Sequence, residues 1–166
     1  MKVFYVILGV AIVAVIVLTI VGFSKNLSGK VAGVTTYQKN DPNAPQVIIP
    51  EKKFDFGKIS LNDVAKHDFK IKNDGKSPLI ITGIITSCHC TSAILKIPDK
   101  ADSPEFGMHQ DSSWRGEIAP GVEASLEAIY KPALMPVKGA VSRVVTLSTN
   151  DPNNTQVQLE ITADVE

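Results

Sequence analysis

Val64-Ala65-Lys66-His67-Asp68-Phe69-Lys70-Ile71-Lys72 is the stretch that decides the fold. In an extended chain Ala65, His67, Phe69 and Ile71 fall on one face and Lys66, Asp68, Lys70 and Lys72 on the other, the period of two of a half-buried strand. Asn73-Asp74-Gly75 follows and predicts a turn with positive φ angles, which Asn and Gly tolerate, and Leu79 to Ile85 is then a β-branched run. Beyond Pro120-Gly121, the residues Val122, Ala124, Leu126, Ala128 and Tyr130 alternate with Glu123, Ser125 and Glu127. Val141, Val145 and Leu147 form another such set, and Val157, Leu159, Ile161, Ala163 and Val165 alternate with polar residues to the end of the chain. About seven short strands separated by turn signals predict an all-β, two-sheet antiparallel sandwich, with a small barrel as the alternative.

The first 23 residues read differently. From Val3 to Phe23 there is no charged side chain, and about 21 residues at roughly 1.5 Å each cross a hydrocarbon core of about 30 Å. The apolar region of a secretory signal is shorter, and no Ala-x-Ala site follows Phe23, so residues 1–23 are read as an uncleaved transmembrane helix and the lipid bilayer as a partner of residues 3–23. A two-residue head before a long tail places the N-terminus in the cytoplasm and the domain in the periplasm or outside the cell, as a single-pass membrane protein. Residues 24–45, rich in Ser, Gly, Lys, Asn and Pro, read as a flexible linker. Residues 46–166 read as the sandwich domain. Setting Lys2 aside leaves 16 basic against 17 acidic side chains, a balance that argues against a nucleic-acid partner.

Several short motifs occur in order: Phe54-Asp55-Phe56-Gly57-Lys58-Ile59, His67 to Gly75, Pro78-Leu79, Ser87-Cys88-His89-Cys90-Thr91, Pro120-Gly121 and Thr149-Asn150-Asp151-Pro152. From Phe54 to Val165 this resembles a bacterial extracytoplasmic family, domain of unknown function 1573, related to the immunoglobulin-like Hydin and major-sperm-protein sandwiches. The resemblance implies an immunoglobulin-like sandwich and a place in the cell envelope, and no activity. Two departures stand out. The family usually has glycine between its cysteines where this chain has His89, and residues 98–116 form an inserted loop where the family passes quickly to the Pro-Gly turn.

Cys88 and Cys90 are the only cysteines. On an extended backbone their Cα atoms would lie roughly 6.5 to 7 Å apart, so a disulfide between them needs a local turn and would be strained and comparatively oxidising. As thiolates the pair could hold Cu(I), whereas Zn(II) would ask for further ligands, with His89, His109 and Met108 the nearest candidates in sequence and His67 a further one. As plain thiols they could equally be structural. His67 reads first as a core-edge histidine bonded to backbone, and Trp114, the single tryptophan, as a plug for one end of the sandwich. The acidic residues of the insertion, Asp99, Asp102, Glu105 and Asp111, lack the spacing of a calcium loop. Residues 40–47, NDPNAPQV, nearly repeat as NDPNNTQV at 150–157, either a relic of tandem domains or two uses of one good turn.

No Ser-His-Asp order, phosphate-binding glycine loop or His-Glu-x-x-His helix is present, so the sequence carries no enzyme signature. The leading expectation is a membrane-anchored module that binds other envelope proteins. Copper or zinc binding through the Cys-x-Cys motif and thiol-disulfide exchange with redox partners stand as alternatives.

Overall fold

The computed structural model describes residues 35–166 apart from Gln110 and Ser112. The anchor expected at 1–23 and the first half of the linker, residues 24–34, lie outside the described residues. Among those described, no helix is long and apolar enough to cross a membrane.

Nine strands form: β1 (Val47–Ile48), β2 (Lys53–Ile59), β3 (Ala65–Asn73), β4 (Leu79–Thr86), β5 (Thr91–Lys96), β6 (Gly116–Ile118), β7 (Glu123–Tyr130), β8 (Gly139–Thr149) and β9 (Gln156–Val165). They make a four-stranded sheet in the order β1-β3-β7-β5 and a five-stranded sheet in the order β2-β9-β8-β4-β6. The expected sandwich is therefore present, with two more strands than the alternation suggested. The strands that no alternation marks in the sequence analysis are β2 and β5, and β1 and β6, which at two and three residues are too short to show a period.

Alternation does the packing. Phe69, Ile71, Leu95 and Leu126 point inward from one sheet and Leu79, Ile81, Leu147, Leu159 and Ile161 from the other, all fully buried. Each such side chain contributes about 1.5–3 kcal/mol by leaving water. In β4 the simple alternation fails at one point, because Gly83, at φ +57°, sits in a bulge where the register with β8 shifts between Thr82 and Ile85. The bulge turns Ile84 inward in place of Ile85.

β1 pairs antiparallel with β3 in one sheet, while β2 pairs parallel with β9 in the other. The chain changes sheets between Ile48 and Lys53, across Pro50, which has no N–H to give to a ladder. The compact unit begins at Thr35, so its first residues fall within the stretch read as linker. Residues 43 and 44 are docked: Ser77 Oγ donates to the Asn43 carbonyl at 2.6 Å and Lys76 N–H to that of Ala44 at 3.3 Å.

The turn after β3 departs from expectation. Pro120-Gly121 behaves as predicted, with Gly121 at φ +77° and Val122 N–H bonded to the Ala119 carbonyl. Residues Asn73, Asp74 and Gly75, in contrast, have no positive φ. Asn73 is fully buried, and its side chain is a joint: Oδ1 accepts from the N–H groups of Gln46 and Gly75, while Nδ2 donates to the carbonyls of Ser77 and Ile118. Gly75 is needed for close approach instead of for φ, since a Cβ there would lie 2.4 Å from both the Ala44 carbonyl oxygen and the Gln46 nitrogen.

The near-repeat is one turn used twice. Asp41 Oδ1 accepts Asn43 N–H at 2.8 Å and its carbonyl accepts Ala44 N–H; Asp151 does the same with Asn153 at 2.8 Å and with Asn154. Only Asp151 is buried, and its Oδ2 accepts the N–H of Val47 at 3.0 Å, tying β1 to the turn before β9.

Gly75→Ala is expected to destabilise the domain by about 1–3 kcal/mol, because backbone rather than a flexible side chain must yield. Asn73→Ala should cost about 3 kcal/mol, since it removes four hydrogen bonds to part-buried and buried backbone groups. Urea unfolding followed by Trp114 fluorescence measures both.

Candidate functional site

One end of the sandwich gathers the residues with chemistry. The β4–β5 connection, Ser87 to Cys90, turns so that Thr91 N–H bonds to the Cys88 carbonyl at 3.2 Å. That turn brings the two cysteine Cα atoms to 5.3 Å, and a disulfide joins Cys88 to Cys90. The turn required for bridging adjacent-but-one cysteines is thus built into the loop, despite His89 in place of glycine. It is held from several sides: Thr86 Oγ1 donates to the Cys88 carbonyl, Lys131 N–H to the Cys90 carbonyl, and Ser87 exchanges two hydrogen bonds with the Val144 backbone.

The two sulfurs face different donors at short range, and the Thr91 hydroxyl also lies 4.0 Å from Cys90 Sγ. The Thr91 hydroxyl meets Cys88 Sγ at 3.3 Å, and Arg143 Nε donates to Cys90 Sγ at 3.2 Å. Arg143 projects from β8 and lies over the Tyr130 ring, 5.7 Å from its centroid, an arrangement favourable for a guanidinium. No sequence pattern pointed to Arg143, because its neighbour in space is 53 residues away. Tyr130 Oη is buried without a hydrogen-bond partner among the described residues.

The five residues proposed as metal ligands are partly assembled. His89 and His109 approach, with ring centroids 6.2 Å apart, and the exposed Met108 is adjacent in sequence to His109. The sulfurs of Cys88 and Cys90 are bonded to each other, so in this oxidised state neither is a thiolate donor. Among the described residues no group of three or more His, Cys, Asp and Glu side chains is placed to hold a metal ion. His67 belongs elsewhere: it stacks on Phe54 at 3.6 Å, meets Phe69 edge-on at 4.7 Å, and bonds through Nε2 to the Glu51 carboxylate at 2.9 Å, so its partner is a side chain and not backbone.

The insertion is less of a loop than its composition suggests. Phe106 is buried and bridges Ala93 on β5 with two backbone hydrogen bonds, while Leu95 and Ser103 bond to each other through Leu95 N–H to Ser103 Oγ and Ser103 N–H to the Leu95 carbonyl. Its last residue, Gly116, opens β6. Trp114 packs edge-on against Phe106 at 4.9 Å and lies close over Gly116, where a Cβ would come within 2.6 Å of its ring. It therefore plugs the side of the sandwich between β5 and β6, and not an end. The insertion covers the outer edge of β5, which would otherwise offer unpaired backbone groups.

The same end exposes apolar side chains. Six large hydrophobic residues are exposed among those described, and five of them, Val64, Met108, Leu134, Met135 and Val137, sit at the disulfide end. Val64 precedes the start of β3, which pairs with Tyr130 at the end of β7, and Leu134, Met135 and Val137 form the β7–β8 loop. Every residue of Ala133 to Lys138 is exposed. Gln46 and its partner Asn73 lie at the other end, about eight residues of β7 or roughly 25 Å away.

The model of the family described as a protein of unknown function, DUF1573, matches residues 47–101. This bears out the resemblance carried by the motifs, and the match stops inside the insertion. No curated protein matches the sequence. Among solved structures, a protein of unknown function from Porphyromonas gingivalis W83 superposes with a TM-score of 0.56 at 18% identity, covering 81% of this chain and 51% of that one. This chain thus spans about half the length of that protein. An ASH/PapD-like domain of human CEP192 superposes with a TM-score of 0.50 at 10% identity, over 81% of this chain and 95% of that domain. At these identities the likeness is one of fold.

Glu105 ties the insertion to this end. Its carboxyl is held below its ordinary value near 4.5, first by the Ser92 hydroxyl and then by the Lys131 ammonium. A carboxyl with a lowered folded pKa stabilises the fold above its unfolded value and loses that contribution as pH falls through the folded one. Thermal melts between about pH 6 and pH 3 should therefore show an acid-side loss of stability that Glu105→Gln reduces.

Proposed function

We propose that this chain, which matches the DUF1573 family over residues 47–101, is a membrane-tethered, extracytoplasmic protein-interaction module of the cell envelope. One observation carries the reading: among the described residues, five of the six exposed large apolar side chains lie at one end of the sandwich. Loops ordinarily present polar residues, and exposed apolar side chains gathered at one end, three of them in the β7–β8 loop between Lys131 and Lys138, fit a surface that another protein covers. The charge-free run from Val3 to Phe23 supports tethering. The disulfide supports an oxidising compartment, outside the cytoplasm.

A photocrosslinking residue at Val137, installed in the full chain in cells, is expected to capture a protein, whereas the same probe at exposed Lys70 captures none. Leu134→Ser with Met135→Ser should reduce capture at least about tenfold, as expected when two anchors of an interface are lost. Replacing both cysteines with serine should leave it intact. Equal capture at both probe positions would refute the module.

A second reading rests on the His89–His109 approach. In the reduced chain those imidazoles and the two thiolates would hold one Cu(I) or Zn(II) ion. Equilibrium dialysis of the reduced chain against Cu(I) is expected to retain one ion that the double serine variant releases. Equal retention by both would end this reading.

A further inference from the structure

We infer that the Cys88–Cys90 disulfide is an exchange site for a protein dithiol, with Cys88 the sulfur attacked and Cys90 the leaving group held by Arg143. The inference goes beyond the docking role, whose capture is expected to survive loss of both cysteines, so the two readings fail separately.

Access and charge both select the same direction. Both cysteines are buried residues, but Cys88 keeps 8% of its residue surface exposed and Cys90 1%, so Cys88 is the nearer of the two to solvent. The sulfur that departs must accept an electron pair, and departure is faster where that anion is stabilised. Cys90 Sγ receives a charge-assisted hydrogen bond from Arg143 Nε at 3.2 Å, whereas Cys88 Sγ faces only the neutral Thr91 hydroxyl at 3.3 Å. Hydrogen bonds from ionised donors are roughly twice as strong as neutral ones.

The step balances as follows. A thiolate of the partner attacks Cys88 Sγ, forming a mixed disulfide as the Cys88–Cys90 bond breaks and its electron pair stays on Cys90. The partner's second thiolate then attacks its own half of the mixed disulfide and expels the Cys88 thiolate. The partner is oxidised from dithiol to disulfide, and this chain is reduced by the same two electrons. The apolar end gives such a partner a surface to rest on, and the Lys131 N–H bond to the Cys90 carbonyl links the apolar loop to the reacting turn.

Limiting glutathione serves as the probe on the oxidised full chain, quenched in acid within the first turnover, alkylated and mapped by peptide mass spectrometry. Glutathione is expected on Cys88 at least about tenfold more often than on Cys90, as the unequal access and donors require. Reduction by dithiothreitol should be faster for the folded chain than for the same chain unfolded in guanidinium. Arg143→Gln should slow it about tenfold and Arg143→Lys by no more than about threefold, since the lysine keeps the charge. Equal labelling, preference for Cys90, or a folded chain reduced no faster than the unfolded one would each overturn the assignment and leave the bond as a staple for its loop.

Discussion

The buried Asn73 carboxamide is the constraint on which the order of the sandwich depends. Four backbone groups from three segments meet it, those of Gln46, of Gly75 and Ser77 in the β3–β4 turn, and of Ile118, and all four bonds would be lost if the side chain were absent. Through these bonds one residue at the end of β3 sets the approach of the chain to β1, the turn into β4 and the end of β6. Asp151 performs a parallel task for β1 and the β8–β9 turn. Asn150 completes that joint, accepting Ile80 N–H at 2.8 Å and donating to the Pro78 carbonyl at 3.2 Å. Short motifs that look like turn punctuation are therefore hydrogen-bond hubs between turns distant in sequence.

The two ends of the sandwich are held by different physics. At the Asn73 end, buried polar groups satisfy one another, and geometry leaves little room for change. At the Cys88 end, a covalent bond, a guanidinium and backbone hydrogen bonds secure the turn, while apolar side chains stand in water. Exposed apolar surface is unfavourable for an isolated domain, so its concentration at one end is what gives the molecule a direction. Both proposed roles draw on that end, one on its surface and the other on its sulfur chemistry.

The insertion shows how tertiary structure recruits a segment of loop-like composition. Pro98 to Gly116 has no strand period, yet Phe106 adds a bridge to β5 and Trp114 closes the open side between the sheets. Gly116 permits this because its missing Cβ leaves room for the indole. Edge protection thus comes from two aromatic residues anchored in an irregular segment, a device with no periodic signature.

Alternation along β3, β7, β8 and β9 was legible because each strand buries one face, and burial acts on every second residue of an extended chain. The sandwich, the Pro-Gly turn and the special status of the Cys-x-Cys loop followed from the sequence by itself. Alternation marked neither β2 nor β5, β1 and β6 were too short to show any, and the bulge at Gly83 broke the period in β4. The contacts of Asn73, Asp151 and Arg143 were decided only in three dimensions, since their partners lie up to 104 residues away and a local pattern has no access to pairs made by sheet register. Whether the cysteines were joined was likewise a tertiary matter: spacing demanded a turn, and neighbouring strands hold the loop in the one that closes the bond.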